Sequence, residues 1–257
     1  MKGFVVPPGY VALSGPGVEG AALATLEIPL REALADGTFY DYAAHHAEAR
    51  PFRGRGIAYA VPLSTGDRVV VRRSRHGGLL GSLRDDSFLG ATRAPRELEL
   101  SLTLRRLGVA TPEIVAYATY PAGTLFRRAD VLTREVPKSR DLAAALGSLS
   151  RADSKRTLIE AMGKLLASLS IAGARHPDLN IKNILIADNE FGGIEALVLD
   201  VDRVWLDAPG TQAILEANLR RLSRSAVKWR RLQGLPIEEA DLLAIESSAR
   251  ELIELSR

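Results

Sequence analysis

The chain has 257 residues, of which 46% are hydrophobic and 25% charged, with a net charge of +3 and no cysteine. That balance suits a buried core in one domain or two lobes, and it excludes a disordered chain, a disulfide scaffold and a thiolate metal site. No apolar run reaches the roughly 18 residues of a membrane span and Met1 to Pro8 offers no signal-peptide core, so a cytosolic protein is expected.

Residues 1–50 read as an irregular extension of undefined role, punctuated by Gly and Pro, with one short helix near Pro29 to Ala35. The adjacent His45 and His46 point different ways on either a helix or a strand, which argues against a metal pair. From Phe52 the pattern sharpens. Gly54-Arg55-Gly56 leads into the apolar run Ile57 to Val61, and Ser64-Thr65-Gly66-Asp67 turns the chain into Arg68-Val69-Val70-Val71-Arg72, which reads as two strands of a hairpin. Arg96 to Gly108 carries apolar residues at helical intervals, with Pro95 near the first turn and Gly108 as the stop. Ile114 to Ala118 and Thr124 to Val136 read as strands about Tyr120-Pro121-Ala122-Gly123, and Pro137 cannot continue the ladder. Ala152 to Ala172 is an amphipathic helix with Leu158, Met162, Leu165, Leu166 and Leu169 on one face. It feeds straight into His176. Ile184 to Ala187 and Ile194 to Leu199 flank the turn-forming stretch Asp188 to Gly193 and form a second hairpin. Two last helical blocks, about Thr211 to Leu232 and Glu238 to Glu254, carry leucine stripes that read as core.

The chemistry concentrates in His176-Pro177-Asp178-Leu179-Asn180-Ile181-Lys182-Asn183. A hydroxyl attacking a γ-phosphate needs a carboxylate to orient and deprotonate it and a second group to hold Mg²⁺, and the kinase pattern H-R-D-L-x-x-x-N supplies both. Asp178 and Asn183 stand in those positions. Val198-Leu199-Asp200 then ends an apolar strand in an acid where D-F-G would place its metal ligand, and the second hairpin brings Asp200 beside Asn183. Asp202 reads either as a supporting acid or as the start of the next loop. Upstream, Val69-Val70-Val71-Arg72 has the shape of V-A-I-K with arginine for lysine; arginine keeps the charge and forks onto phosphate or carboxylate, with a different reach. Glu97 is its expected partner, with Glu99 the rival one helix face away. Gly54 and Gly56 fall where a Gly-rich loop covers phosphates, and backbone groups near Glu135 and Val136 fall where adenine is bound. The fold class expected is α+β and bilobal, protein-kinase-like, with a small antiparallel-sheet lobe over 51–136 and a mainly helical lobe over 137–257.

Two cationic clusters attract anions: Arg68, Arg72, Arg73, Arg75, His76, Arg84, Arg93 and Arg96, and then Arg220, Arg221, Arg224, Lys228, Arg230 and Arg231. Neither interleaves aromatics or matches a nucleic-acid module, so no nucleic-acid partner is expected. An anionic membrane surface or a phosphorylated substrate fits both.

The loop His-x-Asp-Leu-Asn-x-x-Asn-Ile-Leu, with Asn180 in place, resembles the lipopolysaccharide kinase family, most closely the kinases of 3-deoxy-D-manno-octulosonic acid (Kdo). Val71-Arg72 leading into Arg75-His76-Gly77-Gly78-Leu79, Arg96-Glu97, Ala129-Asp130-Val131-Leu132-Thr133 and Asn218 to Ser225 agree with it, over about 52–232. Pro177 and Val201 depart from the pattern without removing a catalytic atom, and no A-P-E segment follows Asp200. The resemblance implies ATP and Mg²⁺ as cofactors and a sugar hydroxyl, the Kdo of lipid A–Kdo, as acceptor. It also implies a cytoplasmic enzyme, peripheral on the cytoplasmic face of the inner membrane, with Arg73, Arg75 and Arg84 meeting lipid phosphates. In this reading Asp178 is the base, Asn183 and Asp200 hold the metal, Arg72 paired to Glu97 holds the α- and β-phosphates, and Asn180 and Lys182 orient the base and the γ-phosphate. Two other readings share the loop: a small-molecule kinase of the aminoglycoside or choline type, and a nucleotide-binding pseudokinase.

Overall fold

The computed structural model describes residues 5–35, 37–54, 56–74, 88–148, 152–189 and 192–256. Two compact units emerge, one from residues 1–99 and 113–135, the other from 100–112 and 136–257. No helix among the described residues is long and apolar enough to cross a membrane.

The first unit is built on an antiparallel sheet. In chain order it contains β1 (Tyr10–Gly15), β2 (Val18–Leu23), α1 (Glu27–Glu32), α2 (Phe39–His45), β3 (Arg50–Arg53), β4 (Ile57–Pro62), β5 (Arg68–Arg73), β6 (Phe88–Leu89), the first turns of α3 (Ala94–Arg106), β7 (Ile114–Pro121) and β8 (Phe126–Arg134). The strands order as β1-β2-β7-β8-β5-β4-β3, with β6 also on β8. The period of two decides the faces. Val69, Val71 and Leu132 bury themselves against Leu30 of α1 and Phe39 of α2, while Arg72 projects from the opposite side of β5.

Residues 1–50 are therefore not an irregular extension: β1 and β2 pair into the sheet beside β7, and two helices close its apolar face. These strands escape a sequence reading because alanine and glycine replace the β-branched residues that mark a strand. Gly20 is required there, since a Cβ at that position would sit 2.1 Å from the Tyr117 carbonyl oxygen of the neighbouring strand. Strand β3 also went unread; its four residues are all exposed and include Pro51, so no alternation betrays it. Gly54 and Gly56 consequently lie in the β3–β4 turn rather than in a lead-in, and the Gly54 N–H donates to the Gly56 carbonyl at 2.9 Å.

Helix α2 is tied to the sheet through its first turn. Its Phe39 N–H donates to the Tyr120 hydroxyl at 3.0 Å, the Tyr40 N–H to Asp130 Oδ2 at 2.9 Å and the Asp41 N–H to the Thr38 hydroxyl at 3.1 Å. Each orphan donor of the helix start thus meets an oxygen.

The second unit contains β9 (Arg140–Asp141), α4 (Leu142–Gly147), α5 (Ala152–Ile171), β10 (Ala174–Arg175), β11 (Ile184–Asp188), β12 (Ile194–Val198), β13 (Trp205–Leu206), α6 (Gln212–Gln233) and α7 (Glu239–Leu255). Its core gathers Met162, Leu165, Leu166 and Leu169 of α5, Leu215, Leu219 and Leu222 of α6, and Ile245 and Ile253 of α7. Burying such side chains contributes about 1.5–3 kcal/mol each, which outweighs the weak propensity of any single helix. Helices α5 and α7 approach closely at Gly163, where a Cβ would come 2.4 Å from the Ser248 hydroxyl oxygen. The hairpin β11–β12 pairs Ile184 with Val198 and Asp188 with Ile194, and β9 adds to its other edge.

Candidate active site

In the second unit, Asp178 to Asn183 form a loop between β10 and β11 whose backbone is fixed from several sides. Asn183 N–H donates to the Asn180 carbonyl at 2.9 Å, and the Asn183 Nδ2 donates to the Asp178 carbonyl at 3.0 Å. An amide engaged this way presents its Oδ1, the atom a cation coordinates, away from that carbonyl. Asn180 Nδ2 donates to the Asp178 carbonyl at 3.0 Å and lies 3.4 Å from Asp178 Oδ1, while Asn180 Oδ1 accepts from the Lys182 N–H at 2.9 Å. Beyond the hairpin, the Leu199 N–H donates to the Asn183 carbonyl at 2.9 Å, so Asp200 follows directly on a residue bonded to Asn183. Asp200 adopts φ +54°, a left-handed conformation that costs a non-glycine residue roughly 1–2 kcal/mol and that short acidic side chains tolerate best.

His176 joins these two loops. It is buried, its Nε2 donates to the Leu199 carbonyl at 2.9 Å, and its Nδ1 accepts from the Asp178 N–H at 3.2 Å. Burial lowers its pKa against the raising influence of the Leu199 bond and of Asp200, Asp178 and Asp202. A neutral ring with both nitrogens engaged is a brace rather than a base. Helix α6 holds the same loop from beneath. Asn218, fully buried, accepts from the His176 N–H at 3.0 Å and donates to the Ala174 carbonyl at 2.9 Å, and Ser225 accepts from the Ile181 N–H at 3.2 Å. These two residues went unassigned in the sequence; a polar pair seven apart on an otherwise apolar helix face is the signal that could have found them. Lys182 pairs with Asp141 at 3.0 Å and lies 4.9 Å from the Trp229 ring centre. Asp141 in turn caps α4, accepting from the Ala144 N–H at 2.8 Å.

In the first unit, Arg72 of β5 forms an ion pair with Glu97 of α3. Glu97 is buried and Glu99 exposed, which decides between the two rivals. The register Tyr59↔Val71 and Arg53↔Ile57 puts Arg72 at the same end of the sheet as the Gly54–Gly56 turn. Glu135 uses its side chain on Arg50 and Arg68 and donates its N–H to the Arg68 carbonyl at 2.9 Å. That N–H is therefore not available to a base; the Glu135 carbonyl and the Val136 N–H have no hydrogen-bond partner among the described residues and offer an acceptor and a donor. The Val136 carbonyl accepts from the Ser139 hydroxyl at 2.8 Å.

Arg73 differs from its expected role. It sits 4.1 Å over the Tyr40 ring and 3.8 Å from Asp41, and its charge acts on the buried Asp130. Its alternation with Arg72 turns it onto the α2 face, so it serves the fold rather than a lipid. Arg75, His76, Gly77, Gly78 and Arg84 lie outside the described residues, as does Arg55.

The donor set suits a hard divalent cation. Among the described residues no three His, Cys, Asp or Glu side chains gather as a metal cage. One carboxylate, Asp200, and one amide oxygen, that of Asn183, are instead what Mg²⁺ takes when substrate phosphates complete its shell.

An antiparallel-sheet unit carrying an arginine–glutamate pair between β5 and α3, and a mainly helical unit whose loop presents a carboxylate and an amide beside a second acid, define a kinase of protein-kinase-like fold. The profile of the lipopolysaccharide kinase (Kdo/WaaP) family matches residues 49–248, and the chain belongs to that family. Its relatives include proteins called 3-deoxy-D-manno-octulosonic acid kinase. That of Vibrio parahaemolyticus is 33% identical over 179 residues, 68% of this chain and 71% of that protein. That of Xylella fastidiosa is 33% identical over 183 residues, 69% of this chain and 68% of that protein. Among solved structures, WaaP in a complex with acyl carrier protein shares the fold, with a TM-score of 0.56 at 17% identity over 88% of this chain and 89% of that one.

Proposed function

We propose that this kinase transfers the γ-phosphate of ATP to a hydroxyl of Kdo on lipid A–Kdo, at the cytoplasmic face of the inner membrane. The observation that carries the acceptor is the one-third identity to proteins called Kdo kinase over two thirds of the chain, with the loop from His176 to Asn183 inside the residues 49–248 that the family profile matches.

Asp178 accepts the proton of the attacking hydroxyl as its oxygen bonds to the γ-phosphorus and the bond to ADP breaks. Asn180 holds Asp178 in place, and Lys182, anchored on Asp141, adds positive charge to the loop. Mg²⁺, held by Asn183 and Asp200, supplies neutralisation of the phosphate charge when bound. Arg72, aimed by Glu97, binds the α- and β-phosphates bidentately, with the Gly54–Gly56 turn offering backbone to the same anions. The Val136 N–H and Glu135 carbonyl match the acceptor and donor on the edge of adenine.

The test is direct: the purified protein, ATP and Mg²⁺ are incubated with lipid A–Kdo, and the product is weighed by mass spectrometry. A gain of one phosphate on the Kdo fragment is expected. Transfer to aminoglycoside or choline and none to Kdo would overturn the acceptor.

A further inference from the structure

Helix α6 carries two unlike faces whose centres are about 100° apart around its axis. The inner one carries Asn218 and Ser225, which hold the catalytic loop. Outside, Arg220, Arg221, Arg224, Lys228 and Arg231 are all exposed and fall within an arc of about 100° at helical geometry. None of the five forms an ion pair among the described residues. Elsewhere several cations are neutralised: Arg31, Arg50, Arg68, Arg72, Arg127, Arg134 and Arg250 each have a carboxylate partner.

The spacing makes the contrast sharper. Arg220 with Arg224, Arg221 with Arg224, Arg224 with Lys228 and Lys228 with Arg231 are like-charge pairs three or four residues apart, an arrangement that opposes the helix. Only Arg231, in the last turn, gains from the helix dipole. Leu232 stands exposed at the same end. A single-sign face that costs the fold its own repulsion has its counter-ions elsewhere.

We propose that this outer face of α6 is the surface by which the kinase docks on a bilayer rich in anionic phosphate headgroups. The proposal rests on the lipid-linked acceptor named above, and it moves the membrane contact from Arg73 to α6. A flat array of headgroup phosphates fits a stripe of separate, forked cations, whereas one bound anion would need them to converge. Docking there keeps the helix that holds the catalytic loop against the lipid surface that presents the acceptor.

The experiment is co-sedimentation of the full chain with vesicles of phosphatidylcholine alone and of phosphatidylcholine mixed with phosphatidylglycerol, across a salt series. The variants are the triple Arg220→Gln, Arg224→Gln, Lys228→Gln and the double Arg220→Lys, Arg224→Lys. Binding should require the anionic lipid and fade as salt rises. At about fivefold per surface cation, the glutamine triple should bind about 10²-fold more weakly, and the lysine double should bind like the parent. Turnover of ATP with soluble Kdo should stay unchanged in both, and the thermal midpoint should hold in the lysine double and not fall in the glutamine triple, which is relieved of like-charge repulsion. Glutamine and parent proteins that bind the vesicles equally would overturn the proposal, as would displacement by inorganic phosphate at constant ionic strength, the mark of a discrete anion site. Vesicle binding by a protein that never phosphorylates Kdo would instead sink the acceptor reading and leave this surface standing.

Discussion

Replacing Asn218 by leucine is the most informative single change in the second unit. The side chain is fully buried and leucine has the same branching and number of heavy atoms, so the variant keeps the shape and removes two hydrogen bonds, one from the His176 N–H at 3.0 Å and one to the Ala174 carbonyl at 2.9 Å. Both backbone groups then remain buried with no replacement, and each such group costs about 1–3 kcal/mol. The sum is about 2–6 kcal/mol, which at about 2–4 °C per kcal/mol for a chain of this size lowers the thermal midpoint by roughly 4–24 °C. Turnover should fall as well, because His176 braces both Asp178 and Leu199, and a displacement near 1 Å can cost about 10²-fold. Ser225→Ala is the graded control. It removes one acceptor from the N–H of the buried Ile181, a single group at about 1–3 kcal/mol. Urea and thermal unfolding of the three proteins, with kcat measured well below the midpoints, makes the comparison. An Asn218→Leu protein less than about 1 kcal/mol below the parent with unaltered kcat would refute the idea that α6 holds the loop.

Asp178→Asn keeps the shape and removes proton acceptance, so turnover should drop roughly 10²- to 10⁴-fold while nucleotide binding persists; a variant with more than about half the parent turnover removes Asp178 as the base. Asp200→Ala should weaken nucleotide binding in Mg²⁺ and leave metal-free binding unaltered in calorimetry, and an identical Mg²⁺ dependence in both proteins would exclude Asp200 from the metal site. Asp130 gives a pH signature, since burial pushes its carboxyl up to about 6 despite the Tyr40 N–H, Arg73 and the Tyr120 hydroxyl. A carboxyl raised in the folded state favours folding where it is protonated, so its contribution is present below the ordinary carboxylate pKa near 4 and is lost as pH rises through about 6. The loss is about 3 kcal/mol, and Asp130→Asn should abolish that slope in urea titrations between about pH 4 and 6; parallel curves for the two proteins would contradict the assignment.

How much of this was legible in the sequence differs from element to element. The second hairpin, the long helices α5, α6 and α7 and the loop from His176 to Asn183 could be read directly, because each is a local pattern: apolar period, turn residues, and chemistry confined to eight consecutive positions. The choice of Glu97 over Glu99 was narrowed to two by helical spacing and closed by burial, which depends on what packs against α3. Strands β1, β2 and β3 left no comparable trace. Their stability comes from hydrogen bonds to β7 and β4 and from cover by α1 and α2, partners distant in sequence, while their own residues are small or exposed.

What the sequence determined by itself is which residues are proposed for the chemistry: Asp178, Asn183, Asp200 and Arg72 are named by local motif, since reaction chemistry fixes residue type and short-range spacing. Tertiary structure alone decided which polar groups serve those atoms and which cations remain for a partner. Asn218, Ser225 and Asp141 reach the loop across gaps of about forty residues, and Arg73 and Arg220 look alike in sequence. Only the fold gives one of these arginines an aromatic ring and a buried carboxylate and leaves the other facing water, because burial and pairing depend on the whole chain and not on the neighbourhood of a residue.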